Sequence, residues 1–151
     1  METDEKFFSF IVKTDFTKSH HRFDQCGIVM YLDGENWLKG SVEFENEHFQ
    51  HLGFVVTNEG DSDWATTAIP ADVKTLWYRF SRREDDYCIE SSFDGGNFSQ
   101  MRVCHMLKGG AGAVGGYVHN TGRYNFGAGQ TQRIQQMVKF AVMLSTGLML
   151  I

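Results

Sequence analysis

The 151-residue chain has only three cysteines, a single proline and fewer basic than acidic residues. Cys26, Cys88 and Cys104 are widely spaced and odd in number, and no two of them form a CxxC pair. This arrangement predicts neither a disulfide framework nor a zinc site, and it favours a reducing cytoplasm. The net charge of −5 argues against nucleic acid or an anionic membrane as a partner, because both are bound by clustered Lys and Arg.

The sequence also has no secretory signal pattern and no apolar segment of membrane-spanning length. Its start, METDEK, is acidic and is followed by no signal-like apolar run, which agrees with a cytoplasmic protein. Residues 137–151 are apolar apart from Lys139, Ser145 and Thr146, whereas a membrane-spanning helix needs about 20 apolar residues. We therefore predict one domain over residues 1–126, followed over residues 127–151 by an atypical apolar tail that is either helical or disordered.

Aromatic residues are abundant, and apolar residues alternate with polar ones along most of the chain. Aromatics make up 14% of the residues, 13 of them Phe, and such rings suit the half-buried surface of a sheet. Strand-like runs recur about every ten residues up to Lys108, separated by turn residues, with no helical period between them. The pattern predicts an all-β, two-sheet antiparallel sandwich. The predicted core residues are Leu38, Val42, Phe44, Phe54, Val56, Leu76, Tyr78, Phe80, Ile89 and Phe93.

The same alternation predicts which side chains point away from the core. If the apolar positions face inward, Trp37, Lys39 and Glu43 project outward from one strand, and Trp77 and Arg79 from another. We predict that these five residues share one sheet face and form a ligand site, because sugar-binding surfaces combine flat rings with charged groups. The alternative is a solvated face with cross-strand ion pairs, and tryptophans that fill gaps in the core.

Other residue combinations carry weaker hypotheses. The segment 62–64 (SDW) follows a turn, and we interpret Trp64 as a cover for the end of the sandwich rather than as a ligand contact. The acidic run 43–47 (EFENE) resembles the carboxylate pattern of sandwich-fold glucanases, but a solvated hairpin is the preferred interpretation. We predict no catalytic residue, no metal site and no cofactor, since neither the histidines nor the cysteines have partners at suitable spacing.

Eight short motifs occur in an order and at a spacing that resemble a known family. They are residues 24–33 (DQCGIVMYLD), 35–39 (ENWLK), 43–44 (EF), 55–58 (VVTN), 62–64 (SDW), 77–79 (WYR), 81–83 (SRR) and 92–95 (SFDG). Together they resemble the concanavalin-A-like domain family of unknown function that includes the proteins named regulation of enolase. The resemblance implies a jelly-roll-like sandwich without an established catalytic mechanism or cofactor. Members have more sequence before their first strand, so we expect one or two N-terminal strands to be missing here.

Three functions follow from these observations. The first is a non-enzymatic binding module for a carbohydrate or a sugar-derived metabolite, which depends on the five outward residues and on the sandwich. The second is a protein-interaction or regulatory domain acting on a metabolic enzyme, which depends on the family resemblance alone. The third and weakest is a glycoside hydrolase, which depends on the acidic run.

Overall fold

Alternating apolar and polar side chains form strands through most of the chain. The computed structural model describes residues 2–19 and 21–119, and no helix occurs among them. The predicted tail over residues 127–151 lies outside the described residues. The strands in the described part are β1 (Glu2–Thr3), β2 (Phe7–Asp15), β3 (Gln25–Tyr31), β4 (Trp37–Phe44), β5 (Phe49–Asn58), β6 (Asp61–Pro70), β7 (Thr75–Arg83), β8 (Asp86–Ser92), β9 (Ser99–His105) and β10 (Gly112–His119).

These strands form two antiparallel sheets. One sheet has six strands in the order β1-β10-β3-β4-β5-β6, and the other has four in the order β2-β7-β8-β9. Chain neighbours such as β1 and β2 belong to different sheets, so the connections cross between the layers as in a jelly roll. The predicted all-β, two-sheet antiparallel sandwich of the concanavalin-A-like kind is confirmed.

The core lies between the two sheets and consists of alternate residues from each. Phe10 and Tyr87 both pack their rings against Phe80 of the four-stranded sheet, with ring centroids 5.8 and 5.6 Å from it. The buried hydrophobic cluster comprises Phe16, Cys26, Ile28, Met30, Leu38, Val42, Leu52, Phe54, Val56, Ile69, Leu76, Tyr78, Phe80, Tyr87, Ile89, Met106 and Val114. Burial of this apolar surface is the main force that holds the sheets together.

Two of the predicted core residues are not buried. Phe93 is 59% exposed because β8 ends at Ser92, where the alternation that predicted an inward side chain also ends. The Ser92 hydroxyl and the Asp94 carboxylate instead accept backbone N–H groups of the following turn. Phe44 is the last residue of β4 and is only half-buried, with the Lys74 ammonium 5.9 Å from its ring centroid. The other eight predicted core residues are buried as expected.

The strand β6 contains the segment 62–64, which follows a turn as the sequence predicted. It forms an edge of the six-stranded sheet, and among its ten residues only Ile69 is buried, so it shows no apolar alternation. Asp63 lies within this strand rather than in the turn. Its carboxylate pairs with Arg102 of β9, which ties the two neighbouring sheet edges together.

One end of the core is closed by a buried arginine. The Arg82 side chain is 1% exposed, and its guanidinium donates from Nε to the Glu84 carbonyl (2.6 Å) and from Nη1 to the Gly110 carbonyl (3.0 Å). Its Nη2 lies 3.7 Å from the Asp85 carboxylate. A planar group with several donors is needed to reach these acceptors at once. Arg82 therefore links the β7–β8 turn to the segment that precedes β10.

We expect Arg82→Lys to lower the free energy of unfolding by about 2–3 kcal/mol, because the single nitrogen of lysine cannot lie at both carbonyls, which Nε and Nη1 of the guanidinium contact separately, and its charge stays buried. The matched control is Arg83→Lys at the exposed neighbouring position, which we expect to change stability by less than about 0.5 kcal/mol. Urea denaturation of both variants measures the difference. Equal stabilities of the two variants would contradict the role given to Arg82.

Candidate functional site

Small residues lie at the middle of the outer face of the six-stranded sheet. Ser41 of β4 lies between Gly27 of β3 and Gly53 of β5 in the register of the sheet, so three adjacent strands present small residues in one row. Larger outward side chains stand on either side of this row: Lys39 two residues before Ser41, and Glu43 two residues after it. The row therefore forms the floor of a depression that runs across the strands.

This depression is lined by Lys39, Ser41, Glu43, His51, Gly53 and Trp64. Its cavity volume is about 20 Å³, which is room for about one water molecule. A ligand larger than water would therefore rest on the face of the sheet rather than enter an enclosed pocket. We call these six residues the sheet-face depression.

Trp64 forms one wall of the sheet-face depression. It lies opposite Val55 in the register of β5 and β6, and its side chain is 59% exposed. A Cβ atom built on Gly53 would lie 2.9 Å from the indole Nε1 and 3.1 Å from a methyl group of Thr66. The indole thus extends over Gly53, and it can do so because position 53 has no side chain.

The polar side of the depression is a network of three residues. Lys39 Nζ donates to Gln25 Oε1 at 2.8 Å, and Gln25 Nε2 donates to the Glu43 carboxylate. Gln25 lies directly opposite Glu43 in the register of β3 and β4, so its amide connects the ammonium to the carboxylate. Both charged groups are held in fixed positions at the surface of the sheet.

Burial changes the protonation of Lys39. Loss of solvation lowers the pKa of its ammonium from 10.5 to about 8, and the charge of Glu43 partly opposes this shift. The sheet-face depression therefore holds a cation at neutral pH that becomes neutral in mildly alkaline solution.

His51 completes the rim of the depression. It lies opposite Glu43 in the register of β4 and β5, and its ring packs edge-on against Phe49 with centroids 5.3 Å apart. Its Nδ1 atom is buried and has no hydrogen-bond partner among the residues that the structure describes. A buried polar atom without a partner is costly, so this nitrogen is a candidate contact for a ligand hydroxyl.

The structure brings together only part of the site predicted from sequence. Lys39 and Glu43 both line the depression, and Trp37 projects on the same face of β4 but is only 4% exposed. Trp77 and Arg79 belong to β7, in the four-stranded sheet. The prediction that one face carries both tryptophans is wrong, because alternation along a strand gives inward or outward direction but not which sheet the strand joins.

On that other face, Trp77 and Arg79 contact their own neighbours. Arg79 makes a two-pronged ion pair with Glu90 of β8 (2.5 and 2.6 Å), and its guanidinium carbon lies 4.5 Å from the ring centroid of Phe98. A Cβ atom on Gly95, which has φ +77°, would lie 2.8 Å from the Trp77 indole, so that turn packs directly on the ring. These contacts are those of the alternative interpretation, a face with cross-strand ion pairs and packed indoles.

The acidic run does not continue as a strand. Strand β4 ends at Phe44, and the Glu45 carboxylate forms an ion pair with Arg22 at 2.6 Å. Glu43 is held by Gln25. The carboxylates of Glu43 and Glu45 therefore have separate partners and do not form a carboxylate pair.

Among residues 2–19 and 21–119, no three His, Cys, Asp or Glu side chains converge as a metal site. Burial raises the pKa of the Cys26 thiol to about 11 and that of Cys104 to about 12, so both are protonated at neutral pH. In the same residues there is no helix with the length and apolar character to cross a membrane.

Two packed antiparallel sheets with connections that cross between the layers define a concanavalin-A-like sandwich domain. The chain belongs to the family described as protein of unknown function (DUF1349), whose family model matches residues 1–133. This assignment confirms the resemblance found in the sequence motifs.

Relatives of this chain include one curated protein and several solved structures. The protein named Regulation of enolase protein 1 from Saccharomyces cerevisiae is 31% identical over 81 residues, which are 54% of this chain and 40% of that protein. A functionally unknown protein from Saccharomyces cerevisiae matches with a TM-score of 0.71 and 25% identity, over 80% of this chain and 63% of that one. The chain thus spans less than two thirds of either relative.

The same fold occurs in a part of two bacterial proteins. The GH43 protein BlXynB from Bacillus licheniformis matches with a TM-score of 0.64 and 20% identity, over 79% of this chain and 25% of that one. Xylan beta-1,4-xylosidase from Bacillus halodurans matches with a TM-score of 0.65 and 15% identity, over 80% of this chain and 26% of that one. At these identities the similarity concerns the architecture of the sandwich.

The shifted pKa of Lys39 predicts a pH dependence of stability. Between pH 8 and 10.5 the unfolded lysine binds its proton more tightly than the folded one, so the contribution of Lys39 to the free energy of unfolding becomes more favourable as pH rises through this range, relative to a variant without the lysine. We expect this gain to be absent in Lys39→Met and present in Lys6→Met, which removes an exposed lysine. Chemical denaturation of the three proteins across this range measures it, and parallel curves for the wild type and Lys39→Met would contradict the burial of the charge.

Proposed function

We propose that the chain is a non-enzymatic binding module whose ligand is a carbohydrate or a sugar-derived metabolite, held at the sheet-face depression. One observation carries the proposal: the exposed indole of Trp64 stands beside the charged pair of Lys39 and Glu43. An exposed ring can cover the C–H face of a sugar, and fixed charges of both signs can accept from and donate to its hydroxyl groups.

The shape of the depression agrees with binding rather than chemistry. A cavity of about 20 Å³ cannot enclose a sugar ring, so the ligand would keep much of its surface in water. Acid–base hydrolysis of a glycoside requires two carboxyl groups on either side of the bond that breaks. Here Glu43 is tied to Gln25, and Glu45 is ion-paired with Arg22.

Each residue has a separate part in this proposal. Lys39 donates to ligand oxygens, Glu43 accepts from ligand hydroxyls, and His51 Nδ1 supplies a further polar contact. Trp37 supports the strand from its buried position. Trp77 and Arg79 lie on the opposite sheet and would serve only a second ligand surface.

We expect Trp64→Ala to weaken binding of the best ligand from an oligosaccharide and sugar-phosphate panel by about 1–3 kcal/mol, the value of one apolar side-chain contact. Its stability should change by less than about 0.5 kcal/mol, since the indole is exposed. The matched control is Phe93→Ala, because Phe93 is also 59% exposed and is no part of the depression. Calorimetric titration and a thermal melt give both quantities. Equal affinity of the two variants, or no ligand in the panel, would remove support for the proposal.

A second candidate function is regulation of a metabolic enzyme through direct contact. It is favoured by the similarity to the yeast protein named Regulation of enolase protein 1, which covers 54% of this chain. The sandwich would then act as an interaction domain, and the partner would bind one of its exposed faces or edges.

This second candidate is tested with purified enolase and the full chain. If it is right, the two proteins bind in a calorimetric titration, and the chain changes the kcat or KM of the enzyme. Bovine serum albumin at the same concentration is the control for nonspecific effects. Absence of both binding and kinetic change would exclude enolase as the partner.

A further inference from the structure

Strand β2 is strongly apolar, yet among the described residues it lies at the edge of a sheet. It contains Phe7, Phe8 and Phe10, and in the part of the chain that the structure describes it pairs only with β7. None of these three rings is fully buried. An exposed apolar edge strand is a template for pairing with another chain, and proteins usually protect such edges.

Both faces of β2 are incompletely covered. On the outer face, Phe7 is 63% exposed and Ile11 is 52% exposed. On the inner face, Phe8, Phe10 and Val12 pack against the core but are only half-buried. Five large apolar side chains on one edge thus retain surface that a second strand could cover.

The sequence of β2 is complementary to itself in one antiparallel register. With Ser9 of one copy opposite Ser9 of another, Phe7 lies opposite Ile11 on the outer face and Phe8 lies opposite Phe10 on the inner face. By contrast, a register centred on Ile11 would place Phe7 opposite Asp15. Aromatic and branched side chains paired across strands stabilise a sheet.

The start of β2 limits the length of this pairing. Glu5 precedes β2, and the chain bends at Lys6 as it crosses from one sheet to the other, so the self-pairing involves residues 7–11. Because the twofold axis repeats every pair, Phe7 lies opposite Ile11 twice in the interface, and Phe8 lies opposite Phe10 twice.

We propose that two copies of this chain associate through β2, in an antiparallel register centred on Ser9, to join their four-stranded sheets into one eight-stranded sheet. The contact involves one strand of each copy, which is small compared with the interfaces of permanent dimers. The dimer is therefore concentration-dependent. The sheet-face depression lies on the other sheet and stays open in the dimer.

Sedimentation velocity of the full chain over a concentration series tests the association. The wild type should change from monomer to dimer, whereas Ile11→Lys should remain monomeric where the wild type is mostly dimeric. Phe93→Lys, at an exposed aromatic position away from β2, should behave like the wild type. The proposal is overturned if the wild type is monomeric at every concentration, whether another segment or a different protein occupies the edge. Open-ended aggregation of the wild type also overturns it.

A pair of cysteine variants tests the register. Ser9→Cys should form a disulfide-linked dimer under mild oxidation, because the two cysteines face each other, whereas Lys13→Cys should not. Equal cross-linking of the two variants overturns this register.

Discussion

The alternation of inward and outward side chains along β4 is the constraint on which the rest of the structure depends. Leu38 and Val42 are buried between the sheets, while Lys39 and Glu43 stand on the opposite face of the same strand. A shift of one residue in pairing would bring these charges into the core and place the leucine in water. The burial that holds the two sheets together therefore also fixes the position of the sheet-face depression.

Alternation and turn residues were sufficient to predict the fold class and most of the core, because strand direction follows directly from local pattern. They failed where tertiary context decides. Phe93 follows the end of β8, and β6 has no apolar side in contact with the facing sheet. Neither the end of one strand nor the exposed edge position of the other produces a signal in sequence periodicity.

The candidate site was predicted in part for the same reason. Lys39 and Glu43 share one strand, so their common face follows from spacing alone. Trp64 and His51 come from β6 and β5, and only the pairing of three strands brings them to that face. In the sequence, Trp64 and Thr66 alternate with small residues, which is a weak indication of a strand. It is weak because the residues between them are not large apolar side chains that would form a buried face. Trp77 was assigned to this face because strands of both sheets show the same alternation of inward and outward residues. The alternation therefore does not tell which sheet a strand belongs to.

The glycine at position 53 has no side chain, yet it determines where the Trp64 indole can lie. Because Trp64 occupies the space that any side chain at position 53 would need, an alanine or larger residue there forces the indole elsewhere. A chain that carried Trp64 but not Gly53 would therefore present a differently shaped outer sheet face, even if its charged residues were identical.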